Sequence, residues 1–199
     1  KMTQDGFYKT GDAGLVTDDG RIVYIDRVSD LRQLKSGARY SPGYIEGKLK
    51  FSPFIKDAVV IGGGKRAYLT ALINIDFENV GRWAERNRIP YTTFTDLSQK
   101  PEVYDLVQKD VERVNKSLPK LVRIRRFADL YKELDADEAE LTRTRKLRRR
   151  YFEDKYPDLV ESLYGDKEEV LVGGEVEYRD GRRARMEVTI RVRELEGGD

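Results

Sequence analysis

Alternating apolar and polar residues predict a β-hairpin near each end of the chain. Near the start, residues 13–17 and 21–25 flank Asp18-Asp19-Gly20, where the glycine can adopt a positive φ. Near the end, residues 170–178 and 183–195 alternate on either side of a second Asp-Gly pair. The pattern therefore predicts an N-terminal β-hairpin and an appended C-terminal β-hairpin.

Between the hairpins, short apolar runs alternate with segments of helical spacing. Apolar runs predict strands at 31–35, 58–61, 68–75 and 122–130, with Gly62-Gly63-Gly64 turning between the second and third. Helices are predicted over 43–51 after Ser41-Pro42, from Asp76, from Pro101, from Lys146 and around Leu159, whereas 91–99 and 134–145 are predicted to be irregular. Strands interspersed with helices predict an α+β fold, with a short antiparallel sheet flanked by helices.

Composition limits the chemistry available to the chain. Charged residues make up 37% of the sequence, yet the formal net charge is only +2, so overall charge gives no reason to expect a nucleic-acid or membrane partner. Histidine and cysteine are absent, which excludes thiolate nucleophiles, disulfides, histidine bases and the common zinc sites. No metal site is predicted. A cysteine-free chain without a signal-peptide pattern is expected to be cytoplasmic.

Three positions in the first third could contact a ligand. The Asp12 carboxylate could accept hydrogen bonds from vicinal hydroxyls, or be a solvated turn residue. Arg27 could contact a phosphate or ribose oxygen, or form a local ion pair with Asp26 or Asp30. Gly37 could let a ligand pass close to the backbone, or serve only as a turn.

The densest run of positive charge, residues 141–150, has three interpretations. It could be a solvated face balanced by the acidic residues just before it, a surface for phosphate or nucleic acid, or a mobile loop that presents one lysine to a developing negative charge. Aromatic residues are not interleaved in this run, which counts against single-stranded nucleic acid.

Taken in order, five segments resemble the C-terminal part of adenylate-forming enzymes, most closely long-chain acyl-CoA synthetases (fatty-acid–CoA ligases). The segments are 7–12, 20–27, 37–42 with Ile45-Glu46, 51–62 and 141–147. The resemblance covers roughly residues 5–152. It is specific, because the probabilities of independent chance matches multiply, so that several motifs in the right order rarely match by chance. The hairpin after Glu169 lies outside it.

The resemblance implies a role for each candidate residue. In that family a large N-terminal domain carries the ATP loop and the acyl pocket, and a small C-terminal domain swings between an adenylation pose and a thioester-forming pose. Asp12 would hold the ribose hydroxyls, and Arg27, with Tyr24 nearby, would contact the ribose and phosphate region. Lys146 would be the catalytic lysine that reaches the α-phosphate during adenylation.

The same resemblance implies a hinge and a CoA-facing turn. Ser29, beside Asp30, takes the hinge position, and the turn of Ser36, Gly37 and Ala38 would face the pantetheine tunnel. The division expected is 1–28 as the end of the large domain and the approach to the hinge, 29–153 as the mobile C-terminal domain, and 154–199 as a helical linker with the hairpin. The chain departs from the family pattern at Ser29, Ala38 and Gln33, where the family commonly has Lys or Asp, an acidic residue and Lys, respectively.

The expected function is that of a C-terminal piece of a longer acyl-CoA ligase. The parent would convert fatty acid, ATP and CoA to acyl-CoA, AMP and pyrophosphate with Mg²⁺, and its partners would be the missing N-terminal domain and these small molecules, with no nucleic acid. Peripheral membrane association of the parent is compatible with this. Two alternatives stay open: a nucleic-acid-binding module that uses residues 143–150, and a protein-interaction domain that uses the C-terminal hairpin.

Overall fold

A mixed β-sheet forms the centre of the computed structural model, which describes residues 2–134, 149–177 and 183–195. Four strands pair in the order β10-β7-β6-β5, and helices cover the sheet. Three separate two-stranded sheets complete the β-structure described. In chain order the elements are β1 Asp12–Val16, β2 Ile22–Arg27, β3 Arg32–Gln33, β4 Arg39–Tyr40, α1 Pro42–Leu49, β5 Ile55–Ile61, β6 Leu69–Ile75, α2 Phe77–Arg86, α3 Phe94–Ser98, α4 Pro101–Lys116, β7 Ile124–Asp129, α5 Arg149–Lys155, α6 Pro157–Ser162, β8 Glu169–Glu177, β9 Arg183–Arg191 and β10 Arg193–Glu194.

The α+β class is confirmed, but the central sheet is not purely antiparallel. Strands β5 and β6 form an antiparallel hairpin across the triple glycine, whereas β6 and β7 run parallel. Parallel neighbours need a crossover connection, and α2, α3 and α4 supply it between β6 and β7. This crossover brings β7 back in the same direction as β6.

Two hydrophobic clusters pack on opposite faces of the sheet. Along β5, Ala58 and Val60 belong to the cluster under α1, α2 and α4, while Val59 and Ile61 belong to the cluster under α5, α6 and the C-terminal hairpin. This alternation is the period of two expected of a strand that is buried on both faces. The central strands are therefore rigid supports for the turns at their ends.

Helix starts follow the predicted capping residues. Ser41 accepts a hydrogen bond from the Tyr44 N–H and caps α1, Asp76 caps α2, and Pro101 is the first residue of α4. The prediction that 91–99 is irregular is wrong for 94–98. Thr93 accepts a hydrogen bond from the Asp96 N–H and begins the short helix α3.

The predicted C-terminal hairpin is present, and its second strand is shorter than expected. β8 and β9 pair from Glu169 with Arg191 to Glu177 with Arg183. The predicted strand 183–195 is two elements, because β10 breaks away after Val192 and pairs with β7. The hairpin is thereby joined to the central sheet.

Candidate functional site

The N-terminal hairpin brings Asp12 and Arg27 into direct contact. They are cross-strand partners at the open end of β1 and β2, and Arg27 Nη1 lies 2.7 Å from Asp12 Oδ1. The same nitrogen donates a hydrogen bond to the Thr10 carbonyl at 3.2 Å. The ion-pair partner of Arg27 is therefore Asp12, and not Asp26 or Asp30, the partners considered from the sequence alone.

A β-bulge places Tyr24 on the same side of the hairpin as this ion pair. Asp12 pairs with Arg27 and Gly14 pairs with Tyr24, so β2 carries one extra residue between the two partners. Cross-strand partners share a face, and residues two apart on β1 also share a face. Asp12, Arg27 and Tyr24 therefore lie exposed on one face of the hairpin, and we refer to them as the exposed cluster.

The remainder of the N-terminal hairpin is unusually apolar for an exposed surface. Large apolar side chains before and within the hairpin stand more than half exposed: Met2, Phe7, Tyr8, Leu15, Val16 and Ile22. Val16 and Ile22 are cross-strand partners on one face of the hairpin and Leu15 lies on the other, so both faces expose apolar side chains.

The predicted hinge is a single 3-10 turn between extended residues. Val28–Asp30 form the turn, with Arg27 and Leu31 in extended conformation on either side. The Ser29 hydroxyl donates to Asp30 Oδ1 at 3.1 Å, and both residues are exposed. Among the described residues, the turn itself contains no buried side chain, and the hinge role of Ser29 and Asp30 stays a prediction.

The turn at Ser36, Gly37 and Ala38 is held by Gln33, one of the departures from the family pattern. Gly37 has φ of +86°, the left-handed region that favours glycine. The Gln33 side-chain amide donates to the Gly37 carbonyl at 2.9 Å, and the Leu34 N–H donates to the Ala38 carbonyl at 3.0 Å. Gln33 therefore stabilises the turn that the resemblance assigns to the CoA side.

A cluster of basic residues beside this turn was missed by the sequence reasoning. The Lys35 N–H donates to the Arg66 carbonyl at 3.0 Å, so the Gly37 turn docks on the triple-glycine turn. We call the exposed or half-exposed cations Arg32, Lys35, Lys65 and Arg66 the two-turn basic surface. Arg32 and Arg66 line an open cavity of about 460 Å³ together with Glu153, whose Oε1 lies 3.6 Å from Arg66 Nη1. The sequence signal of the surface was the Lys-Arg pair after the three glycines.

Lys146, the predicted catalytic lysine, lies outside the described residues, as does most of the basic run. The described residues that flank it are Leu134, which is 8% exposed, and Arg149, the first residue of α5. Both flanks belong to the packed domain, because Leu134 and Phe152 are members of one hydrophobic cluster. The role of Lys146 remains a prediction from the resemblance.

A buried carboxylate that the sequence reasoning also missed lies at the end of β7. Asp129 is fully buried, and within the described residues neither of its carboxylate oxygens has a hydrogen-bond partner. Burial raises its pKa well above the usual carboxyl range, and the positive charge of Arg193 only partly offsets this. Because Asp129 lies in the core and away from the exposed cluster, we expect it to affect the stability of the fold.

Metal-holding groups and membrane-crossing helices are not found in the part of the chain that the structure describes. Across residues 2–134, 149–177 and 183–195, there is no group of three or more acidic side chains placed to hold a metal ion, so no residue here is assigned to Mg²⁺. In the same ranges, no helix is both long and apolar enough to cross a bilayer.

The chain belongs to the family of AMP-binding enzyme C-terminal domains, which matches residues 30–168. It is 31% identical over 161 residues to the long-chain-fatty-acid–CoA ligase FadD15 of Mycobacterium tuberculosis, covering 80% of this chain and 27% of that protein. It is 26% identical over 183 residues to the long-chain-fatty-acid–CoA ligase ACSBG1 of Macaca fascicularis, covering 83% and 25%. The chain thus spans about a quarter of the length of these relatives.

Solved structures of adenylation domains share the fold. The adenylation domain of a carboxylate reductase from Mycobacterium chelonae is 26% identical, with a TM-score of 0.58 over 83% of this chain and 24% of that one. The corresponding domain from Segniliparus rugosus, solved with AMP and a carboxylic acid, is 21% identical with the same TM-score, over 82% and 24%. The expected resemblance to adenylate-forming enzymes is confirmed, and neither a nucleic-acid-binding module nor a protein-interaction module receives support.

Proposed function

We propose that this chain is the C-terminal part of an ATP-dependent ligase that joins a long-chain fatty acid to CoA. The observation that carries the proposal is the family match over residues 30–168, together with relatives named as long-chain-fatty-acid–CoA ligases. The exposed Asp12–Arg27–Tyr24 cluster supports it, because vicinal ribose hydroxyls can donate to a carboxylate while a guanidinium contacts phosphate.

In this proposal the chain contributes three parts to the reaction. Asp12 and Arg27 hold the nucleotide on the side of the large domain, and Lys146 stabilises the negative charge that develops as the fatty-acid carboxylate attacks the α-phosphate. The turn of Ser36, Gly37 and Ala38 then faces the thiol substrate after rotation about Ser29. A single active site can serve two half-reactions when a rigid domain moves about a few residues.

The first prediction is that the parent protein makes acyl-CoA and the isolated chain does not. With a long-chain fatty acid, ATP, Mg²⁺ and CoA, the parent is expected to release AMP and pyrophosphate in step with thioester formation. The 199-residue chain has no glycine-rich phosphate loop, so ATP would have little to bind and no acyl-AMP should form. Chromatography of the adenylate and the thioester measures both products. Substantial acyl-AMP from the chain alone, or none from the parent, would contradict the proposal.

The second prediction concerns the two-turn basic surface, which we propose attracts the phosphates of CoA. Lys35 and Lys65 are exposed and lie beside the turn assigned to the CoA side. Replacing both with alanine in the parent is expected to raise the KM for CoA about tenfold, or about 1.4 kcal/mol in total, since exposed ion pairs contribute about 0.2–1 kcal/mol each. Acyl-adenylate formation should keep its rate.

Steady-state kinetics with CoA as the varied substrate checks this prediction. Lys109→Ala is the matched control, because Lys109 is an exposed lysine on α4, an element that does not contribute to the two-turn basic surface. An unchanged KM for CoA in the double variant, or an equal rise in the control, would show that the surface does not bind CoA.

A further inference from the structure

A side-chain hydrogen bond connects the two sides of the proposed hinge. The Ser41 hydroxyl, at the start of α1, donates to Asp26 Oδ2, near the end of β2. The other carboxylate oxygen of Asp26 accepts from the Arg27 N–H at 2.9 Å, so both oxygens of this half-buried group are engaged. Ser29 lies between Asp26 and Ser41 in the chain.

The contact is built into the start of helix α1. Ser41 is only 3% exposed, and its oxygen also accepts a hydrogen bond from the Tyr44 N–H at 2.9 Å. A Cβ atom at Gly43 would lie 3.3 Å from Asp26 Oδ2, so glycine leaves room for the carboxylate. A negative charge at a helix N-terminus is further stabilised by the helix dipole.

Movement about Ser29 must break this bond. Asp26 belongs to the N-terminal hairpin, which is otherwise largely exposed, and Ser41 belongs to the packed domain that would rotate. A hydrogen bond between a buried hydroxyl and a carboxylate is lost once the partners separate by more than about 3.5 Å. The orientation seen here therefore contains a contact that the other orientation cannot contain.

We propose that the Asp26–Ser41 hydrogen bond is a latch that sets the balance between the two orientations of the C-terminal domain. The proposal rests on the proposed function, because the two orientations serve the two half-reactions. Asp26 and Ser41 are positioning residues and contact no reacting atom. Weakening the latch favours the orientation that lacks it, so one half-reaction should gain rate while the other loses it.

The decisive variant is Ser41→Asp in the full-length parent. Aspartate keeps an oxygen that can cap α1 but cannot donate when ionised, and it faces the Asp26 carboxylate with like charge. We expect the ratio of acyl-adenylate formation to thioester formation from supplied acyl-AMP to change about tenfold, with the two rates moving in opposite directions. Ser41→Thr keeps both the donor and the cap and should retain the wild-type ratio.

Ser52→Ala is the matched control. The Ser52 hydroxyl, also 3% exposed, donates to Asp110 and accepts from the Phe54 N–H, so the contact has the same chemistry. Both partners lie on the same side of Ser29, so losing this bond cannot favour one orientation. The control should leave the ratio of the two rates at its wild-type value.

The outcomes separate the latch from the function on which it rests. If the wild-type parent makes acyl-adenylate and thioester but Ser41→Asp leaves their ratio as in Ser52→Ala, the latch alone is overturned. A wild-type parent that makes neither product overturns the proposed function and the latch together. Should Ser41→Asp not fold, Ser41→Ala takes its place under the same criterion, because a ratio of two rates is insensitive to the amount of folded enzyme.

Discussion

Replacing Lys146 with alanine in the parent should slow acyl-adenylate formation by about 10²–10³-fold, the usual loss when one preorganised charge-stabilising group is removed. Attack of the fatty-acid carboxylate on the α-phosphate concentrates negative charge on the phosphoryl oxygens, and an ammonium group placed there lowers the barrier. Thioester formation from supplied acyl-AMP should keep most of its rate, because the charged phosphoryl transfer has already taken place.

Measuring the two half-reactions separately tests this assignment. Fatty-acid-dependent exchange of pyrophosphate into ATP reports adenylation, and release of AMP from acyl-AMP and CoA reports thioester formation. Lys116→Ala serves as the control, since Lys116 is an exposed lysine at the end of α4 and should affect neither rate. Equal losses in both half-reactions for the Lys146 variant would contradict the proposed role.

Replacing Asp129 with asparagine should stabilise the 199-residue chain at neutral pH. The pKa of this buried carboxyl is raised in the folded chain. The unfolded chain therefore releases the proton once the pH exceeds the ordinary carboxyl pKa of 3.8, while the folded chain still holds it. Stability is therefore present at low pH and is lost as the pH rises, by up to about 1.4 kcal/mol per pH unit until the folded-state pKa is passed. Asparagine has no proton to lose, so the variant should lack this slope.

Urea unfolding of the wild-type chain and of Asp129→Asn, from the ordinary carboxyl pKa of 3.8 up to neutral pH, tests the expectation. The two free energies of unfolding should differ least at the acidic end and diverge as the pH increases. Asp57→Asn is the control, and it should lower the free energy of unfolding. Asp57 is also buried, but it lies 2.6 Å from Lys50 Nζ, so the substitution removes an ion pair. Parallel pH profiles for wild type and Asp129→Asn would disprove the account.

The sequence was sufficient to predict elements that depend on local signals. The hairpin turns, the caps at Ser41 and Asp76 and the proline starts are each determined by a few neighbouring residues. Helix α3 was missed because its five residues are too few to display a helical period, and only the Thr93 cap indicates it. Strand pairing depends on distant partners, so neither the parallel β6–β7 pair nor β10 could be predicted.

In the candidate site, the individual residues could be predicted from the sequence, whereas the contacts between them could not. Asp12 and Arg27 were identified from their types and positions, but their mutual contact depends on the register of β1 and β2. The bulge that moves Tyr24 to their side has no reliable sequence signal. The burial of Asp129 without hydrogen-bond partners among the described residues could not be predicted either, because a single aspartate at a strand end is usually solvated.

Strand β10 has a consequence for how the domain is made in the cell. Its residues pair with Phe127 and Arg126 of β7, and Leu195 belongs to the hydrophobic cluster under α1, α2 and α4. A ribosome synthesises the chain from the N-terminus at about 5–20 residues per second, so β7 is complete seconds before its outer neighbour exists. During that interval the edge of β7 is unpaired and open to misassociation. The sheet can close only after Arg193 and Glu194 have left the ribosome.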